Sequence, residues 1–160
     1  MRTLYKLTAA VCVAAAVLLG CDLKKIAELE EGVATEAQVR AQFGEPVAVY
    51  DEPGGSRTLE YPRQPQGQRN YMITIGPDGK MSALRQVLQP ATFRRIVAGM
   101  DTPQVRRLLG APARRLPLER QQQEVWDWRF LNGQEAKIFS VTFDAQGKVL
   151  STAETVDEPR

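Results

Sequence analysis

Hydrophobic positions along this chain follow a helical period and then a strand period, and this succession occurs twice. Apolar residues first recur at helical spacing, which predicts a core-facing stripe at the start of each copy. The stripes are Ile26, Leu29 and Val33 in the first copy and Phe93, Ile96 and Met100 in the second. After a proline in each copy the apolar period becomes two, which is typical of strands. Each copy therefore begins with helices and continues as a sheet.

A second short helix in each copy is marked by start and stop signals. Thr35 and Thr102 are each predicted to cap this helix through the hydroxyl oxygen. Gln38 completes a capping box in the first copy, and Pro103 takes the first helical position in the second. The helices are predicted to end at a glycine that is followed by a proline, namely Gly44 with Pro46 and Gly110 with Pro112.

The strands and turns of the two copies also match. Predicted strands cover 47–50, 58–61, 71–75 and 81–88 in the first copy and 114–118, 125–130, 136–143 and 149–155 in the second. The motif that begins at Gly32 returns at Gly99, and the later turns return at about the same spacing, which indicates a repeat. We predict an α+β fold with two tandem repeats, each with two short helices packed on a three- or four-stranded antiparallel sheet.

The amino terminus predicts export and lipidation. Arg2 and Lys6 precede an apolar run that stops at Gly20 and Cys21. This pattern indicates a secretory signal peptide over residues 1–20, because the apolar run is short for a permanent span. Residues 18–21, Leu-Leu-Gly-Cys, resemble the lipobox of bacterial lipoproteins. That resemblance implies cleavage before Cys21 and acylation of its thiol and new amino terminus. The remaining boundaries are 21–90 and 91–155 for the repeats and 156–160 for a disordered tail.

Composition narrows the chemistry. The chain has no histidine, and its two cysteines are Cys12 in the signal and Cys21 at the lipidation site. The usual thiolate, imidazole and triad chemistries are therefore absent, and we expect no enzyme activity, metal or cofactor. Removing Arg2 and Lys6 from the 21 basic residues leaves 19, equal to the 19 acidic ones, so nothing suggests nucleic acid as a partner.

The repeated motif carries a family resemblance. It comprises Gly32, Thr35, Val39, Gly44 and Pro46, followed by a late Phe-Asp-Ala-Gln-Gly-Lys-Val turn at 143–149. Behind a lipobox cysteine, this pattern resembles the SmpA/OmlA family of outer-membrane lipoproteins, the BamE-type domain. Members of this family with a single such domain are accessory lipoproteins of the machinery that inserts β-barrels into the outer membrane, so the resemblance implies an accessory role in outer-membrane protein assembly. This chain differs from them in having two such units. The tandem arrangement also resembles the fold of secreted beta-lactamase inhibitor proteins.

Two surfaces are candidates for contact with a partner. Trp126 and Trp128 alternate along one strand, and with Tyr50 and Tyr71 they form a candidate aromatic interface, for which burial in the core is the alternative. The second candidate is a basic patch facing a membrane or partner, for which solvated helix faces and strand edges are the alternative. The patch comprises Arg94, Arg95, Arg106, Arg107, Arg114 and Arg115.

These features favour a membrane-anchored envelope lipoprotein that acts as a non-catalytic accessory or scaffold, with a periplasmic or outer-membrane protein as partner. The alternative is an anchored binding or inhibitor module for a periplasmic hydrolase or an envelope ligand. The family resemblance implies the outer membrane, facing the periplasm. Asp22 after the lipidated cysteine implies inner-membrane retention under the sorting rules of enteric bacteria. The sequence leaves the oligomeric state open.

Overall fold

The computed structural model describes residues 26–158. In this range the protein is α+β, with two four-stranded antiparallel sheets and a few short helices. The helices are α1 Glu36–Phe43, α2 Pro90–Phe93 and α3 Thr102–Leu109, with 3-10 turns at Pro53–Gly55 and Glu119–Gln121. The strands are β1 Ala48–Asp51, β2 Arg57–Pro62, β3 Asn70–Ile75, β4 Met81–Gln86, β5 Arg114–Leu118, β6 Gln123–Asn132, β7 Glu135–Phe143 and β8 Val149–Val156.

Both main helices begin with a capping box, but the second begins one residue earlier than predicted. Thr35 caps α1: its side chain accepts from the backbone N–H of Gln38, and its own backbone N–H donates to the side-chain oxygen of Gln38. In α3 the cap is Asp101, whose carboxylate accepts from the backbone N–H of Gln104 at 2.9 Å. Thr102 is therefore the first helical residue. The Asp101 carboxylate, and not the Thr102 hydroxyl, accepts from a free backbone N–H at the start of the helix. Pro103 accordingly takes the second helical position, not the first.

The predicted stops are confirmed. Gly44 and Gly110 follow the last helical residues with φ of 84° and 75°, and each donates its N–H to a carbonyl in the helix before it. These positive φ values are strained for residues with a Cβ, so glycine fits both positions.

Each sheet is an antiparallel meander with its strands in chain order, and the same details recur in both. The N–H of Gly32 donates to the carbonyl of Met81 at 2.7 Å, and the N–H of Gly99 donates to that of Val149 at 2.9 Å. The ladder between the third and fourth strands shifts register after Thr74 in the first sheet and after Thr142 in the second. Matching irregularities of this kind fit the predicted two-repeat arrangement.

The first core contains most of the predicted apolar face of the first copy. Its buried members are Ala34, Val39, Phe43, Leu59, Tyr61, Tyr71, Ile73, Ile75 and Met81. Ile26 and Leu29 are partly buried against it, as the helical stripe predicts. The prediction for Val33 is wrong, because that side chain is 59% exposed. Residues 31–33 form a turn, so the helical spacing that would direct Val33 inward is not maintained.

The second core is larger and rich in aromatic rings. Its buried members are Met72, Val87, Leu88, Phe93, Ile96, Val105, Leu109, Trp126, Trp128, Phe130, Phe139, Val141, Phe143 and Val149. Phe93 stacks on Phe139 at a centroid distance of 4.1 Å, and Met100 packs against the cluster while half-buried. Met72, Val87 and Leu88 come from the first predicted repeat, so this core also joins the two repeats.

The carboxyl end is ordered further than predicted. Val156 is the last residue of β8, and the N–H of Asp157 donates to the carbonyl of Ala136. The Asp157 carboxylate also pairs with Arg129 at 2.6 Å. The predicted disordered tail over 156–160 is therefore wrong for these two residues, because their backbone and side-chain groups find partners on neighbouring strands. Within residues 26–158, no helix is long and apolar enough to span a membrane.

Candidate functional site

The face of the first sheet opposite its own core is covered by the second repeat. Strand alternation places Leu59 and Ile73 on one face and their neighbours Glu60 and Met72 on the other. Leu59 and Ile73 lie in the first core, whereas Met72 lies in the second. Glu60 is fully buried, and Asn70 on the same face is fully buried as well. The sheet is therefore occupied on both faces, although its sequence alternates as if one face met water.

Glu60 is the centre of the polar contact between the repeats. Its Oε1 accepts from the backbone N–H of Ala111 at 2.8 Å, and its two oxygens accept from Arg106 at 3.3 and 3.4 Å. The hydroxyl of Tyr50 donates to Oε2. Burial and this contact with the Glu60 carboxylate raise the pKa of Tyr50 to about 12. A buried carboxylate is tolerated here because both of its oxygens meet donors.

Asn70 makes a second polar contact between the repeats. Its amide nitrogen donates to the carbonyls of Leu109 at 2.7 Å and Ala111 at 3.0 Å, and its amide oxygen accepts from the N–H of Arg63. The carbonyls at the end of α3 thereby find a donor in the first repeat. We call Glu60, Asn70, Arg106 and Ala111 the inter-repeat joint.

The predicted basic patch is largely used in ion pairs. Arg106 pairs with Glu60, Arg107 pairs with Glu52 at 2.6 Å, and Arg114 pairs with Asp127. These three arginines come from α3 and β5, and each meets an acidic group of this same chain. The continuous patch expected from the sequence is therefore not a set of uncompensated charges.

Arg94, Arg95 and Arg115 are exposed and have no carboxylate partner among the described residues. Arg115 is held differently from the other two, because its guanidinium lies over the ring of Trp126 at 4.1 Å from the centroid. Arg107 lies over the ring of Tyr50 at 4.9 Å. Aromatic faces attract guanidinium groups, so both arginines have a preferred position.

A groove runs between β1 of the first repeat and the second repeat. It encloses about 660 Å³ and is lined by Val47, Ala48, Tyr50, Thr102, Pro103, Arg106, Arg107, Arg115 and Trp126. Arg94, Arg95 and Arg114 do not line it. The groove thus brings together half of the predicted basic patch and two of the predicted aromatic residues, and its wall combines apolar groups with guanidinium groups.

The predicted aromatic interface is wrong for Trp128 and Tyr71, whereas Trp126 is largely buried but still lines the groove. Trp128, Tyr71 and Trp126 are 0%, 1% and 4% exposed, respectively. Their rings fill the two cores because they are the largest apolar groups on strand faces that pack inward. Tyr50 is half-buried and lines the groove, so it keeps an accessible ring. Trp126 also lines the groove, and its indole N–H has no hydrogen-bond partner within residues 26–158.

The sequence pattern does not predict the buried roles of Glu60 and Asn70. An acidic residue between Leu59 and Tyr61 reads as the solvent side of an alternating strand. The only sequence signal for another role is the duplication itself, which puts Asp127 at the matching place in β6. Asp127 is also buried, and it accepts from Ser140 at 2.6 Å.

Cys21 and Asp22 lie outside the described residues, as does the predicted signal peptide. Over the described range, 26–158, no group of three or more acidic, cysteine or histidine side chains is arranged to hold a metal ion.

Comparison with known proteins adds one distant likeness. No protein-family model matches this sequence, and no curated protein matches it. Among solved structures, the chain is similar to a DUF4309 family protein (YjgB) from Bacillus subtilis. The two share 18% sequence identity and a TM-score of 0.31, over 81% of this chain and 83% of that one.

Proposed function

We propose that this chain is a bacterial envelope lipoprotein, anchored through Cys21, that serves as a non-catalytic accessory or scaffold in outer-membrane protein assembly or envelope integrity. The observation that carries the proposal is the lipobox at residues 18–21 directly ahead of a domain with the Gly-x-x-Thr motif of BamE-type lipoproteins. Two or more acyl chains anchor a protein stably, so a triacylated Cys21 would stay on the membrane.

The role of the folded part is to bind a protein partner. The groove supports this role because it combines accessible apolar and aromatic groups with oriented guanidinium groups, the residue types that dominate protein interfaces. We also take each main helix to cover one face of its own sheet. The ring of Phe43 in α1, 5.3 Å from that of Tyr61 in β2, supports this packing.

The alternative, an anchored inhibitor of a periplasmic hydrolase, receives less support. An inhibitor that bound through a face of the first sheet would need that face free. In the first sheet one face carries the first core and the other contacts the second repeat through Glu60 and Met72. The loop at 63–69 is also held by the second repeat, because the side-chain amide of Gln64 donates to the carbonyl of Arg129 and accepts from its N–H.

The anchor is tested by growing cells with radioactive palmitate and comparing the wild type with Cys21→Ser. We expect label in the wild type, no label in the variant, and membrane sedimentation only for the wild type. An unlabelled wild-type protein in the soluble fraction would contradict the anchor. Separation of the inner and outer membranes then shows whether the protein is retained as Asp22 implies.

The partner class is tested by crosslinking the lipoprotein in cells and identifying the proteins that co-purify with it. Subunits of the barrel-assembly machinery would support the accessory role. A soluble hydrolase recovered in an amount equal to that of the lipoprotein, with no assembly subunit, would favour the inhibitor.

A further inference from the structure

The groove has the features of a site for a carboxylate-bearing extended chain. Three arginines line it, and only Arg106 is committed to a fully buried acid, Glu60. Arg115 has no carboxylate partner within residues 26–158, and Arg107 pairs with the partly exposed Glu52. Both guanidinium groups lie over aromatic rings, which limits their motion while leaving N–H groups for an acceptor.

The strand that borders the groove has an unused edge. In the first sheet β1 pairs with β2 alone, and no other described strand adjoins it. Val47 precedes β1, lines the groove and is 58% exposed, whereas Val49 within β1 is 44% exposed. An extended peptide can add to such an edge through backbone hydrogen bonds while apolar side chains cover the exposed valines.

We propose that the groove binds an extended acidic segment of a protein partner, which adds to the edge of β1 and places carboxylates on Arg107 and Arg115. This inference rests on the proposed partner-binding role and specifies its chemistry. The peptide is favoured over an anionic lipid headgroup because the charged wall is continuous with a free strand edge and exposed apolar side chains. A headgroup would use the charges alone.

The test uses the full lipoprotein in detergent micelles and two pools of blocked pentapeptides. One pool has acidic residues at the second and fourth positions between apolar residues, and the other has asparagine and glutamine there. Binding is followed by fluorescence, since the chain has two tryptophans and one of them, Trp126, lines the groove. We expect the acidic pool to bind at least 10-fold more tightly than the amide pool, because charge-assisted hydrogen bonds are lost in the second.

Matched variants locate the binding site. Arg115→Gln and Arg107→Gln should each weaken binding of the acidic pool by about 10-fold. Arg94→Gln and Arg95→Gln remove the same charge from exposed positions outside the groove and should leave affinity unchanged. Arg107 and Arg115 are both exposed, so their variants should fold.

Several outcomes would overturn the proposal. Equal binding of both pools, or no binding of either, would exclude recognition of an acidic segment. Equal loss in the groove variants and the Arg94 and Arg95 controls would indicate general electrostatic attraction. Binding of phosphatidylglycerol nanodiscs through Arg115 without binding of the acidic pool would assign the groove to a lipid headgroup. Palmitate labelling of Cys21 and crosslinking of a partner in cells are measured independently, so failure of the acidic-ligand inference is distinguishable from failure of the anchor and of the partner-binding role.

Discussion

Glu60→Gln should lower the free energy of unfolding by about 2 kcal/mol. The carboxylate is fully buried, and both of its oxygens accept hydrogen bonds: Oε1 from Ala111 and Arg106, and Oε2 from Tyr50 and Arg106. Glutamine has the same shape but only one accepting oxygen. Its NH₂ group would therefore meet donors where an acceptor is required.

The magnitude follows from the number and kind of bonds lost. A hydrogen bond to a charged group contributes about 1.5–3 kcal/mol and a neutral one about 0.5–1.5. The substitution makes the acceptor for Tyr50 and Arg106 neutral, removes the ion pair with Arg106 and misdirects at least one donor. Removal of a buried charge also relieves a desolvation cost, which offsets part of the loss. A net loss of about 2 kcal/mol would lower Tm by about 8 °C for a domain of this size.

The assay is urea unfolding of the lipoprotein in micelles, followed by tryptophan fluorescence. Glu45→Gln is the matched control, because its side chain is 79% exposed and its pair with Arg40 is at the surface. The control should unfold within about 0.5 kcal/mol of the wild type. A double-mutant cycle between Glu60→Gln and Arg106→Gln should give a coupling energy of at least about 1 kcal/mol. If Glu60→Gln is as mild as Glu45→Gln, the joint does not hold the repeats together as argued.

Three further predictions concern the caps, the glycines and the half-buried Tyr50. Asp101→Ala should lower the free energy of unfolding in urea by about 1 kcal/mol, because Asp101 caps α3. Thr102→Ala should lower it by less than about 0.5 kcal/mol. A larger loss for Thr102→Ala would indicate that Thr102 is the cap, as the sequence predicts. Gly110→Ala should lower Tm more than Gly44→Ala. Both glycines have positive φ, but only at Gly110 would an added Cβ meet a neighbour, the Asn70 amide nitrogen at 3.0 Å. Equal losses of Tm would contradict this crowding. The folded-state pKa of Tyr50, about 12, lies above its unfolded value of about 10. The proton therefore stabilises the folded state below pH about 10, and this stabilisation is lost as the pH rises towards 12. The stability advantage of the wild type over Tyr50→Phe should shrink across that interval in urea unfolding, and a constant difference would refute it.

Local features were predictable where a few neighbouring residues decide the outcome. A glycine stop before a proline depends only on backbone sterics, and Gly44 and Gly110 both occupy the predicted places with positive φ. Strand positions followed from the period of two, because each sheet packs one apolar face on its own core. The cap of α3 was misplaced by one residue, since Asp101 and Thr102 are both good caps and only the three-dimensional register selects between them.

Burial was less predictable, because it depends on what packs against a face. Val33 fits the helical stripe but is exposed, whereas Glu60 fits a solvent position but is buried. Half of the predicted basic patch lines the groove. The sequence could not show, however, that Arg106 and Arg107 pair with acidic residues of the first repeat. Those acids are about 50 residues away along the chain, beyond any local pattern.

The sequence by itself determined the repeated plan of helices and antiparallel strands, because caps, stops and alternation act over a few residues. It also carried the lipobox-like residues 18–21 and the absence of histidine, on which the proposed function depends. Only the tertiary structure decided that the second repeat covers the first sheet, and that this contact leaves a groove beside β1. The reason is physical: the burial of Glu60 and the approach of Arg107 to Tyr50 depend on contacts between the repeats.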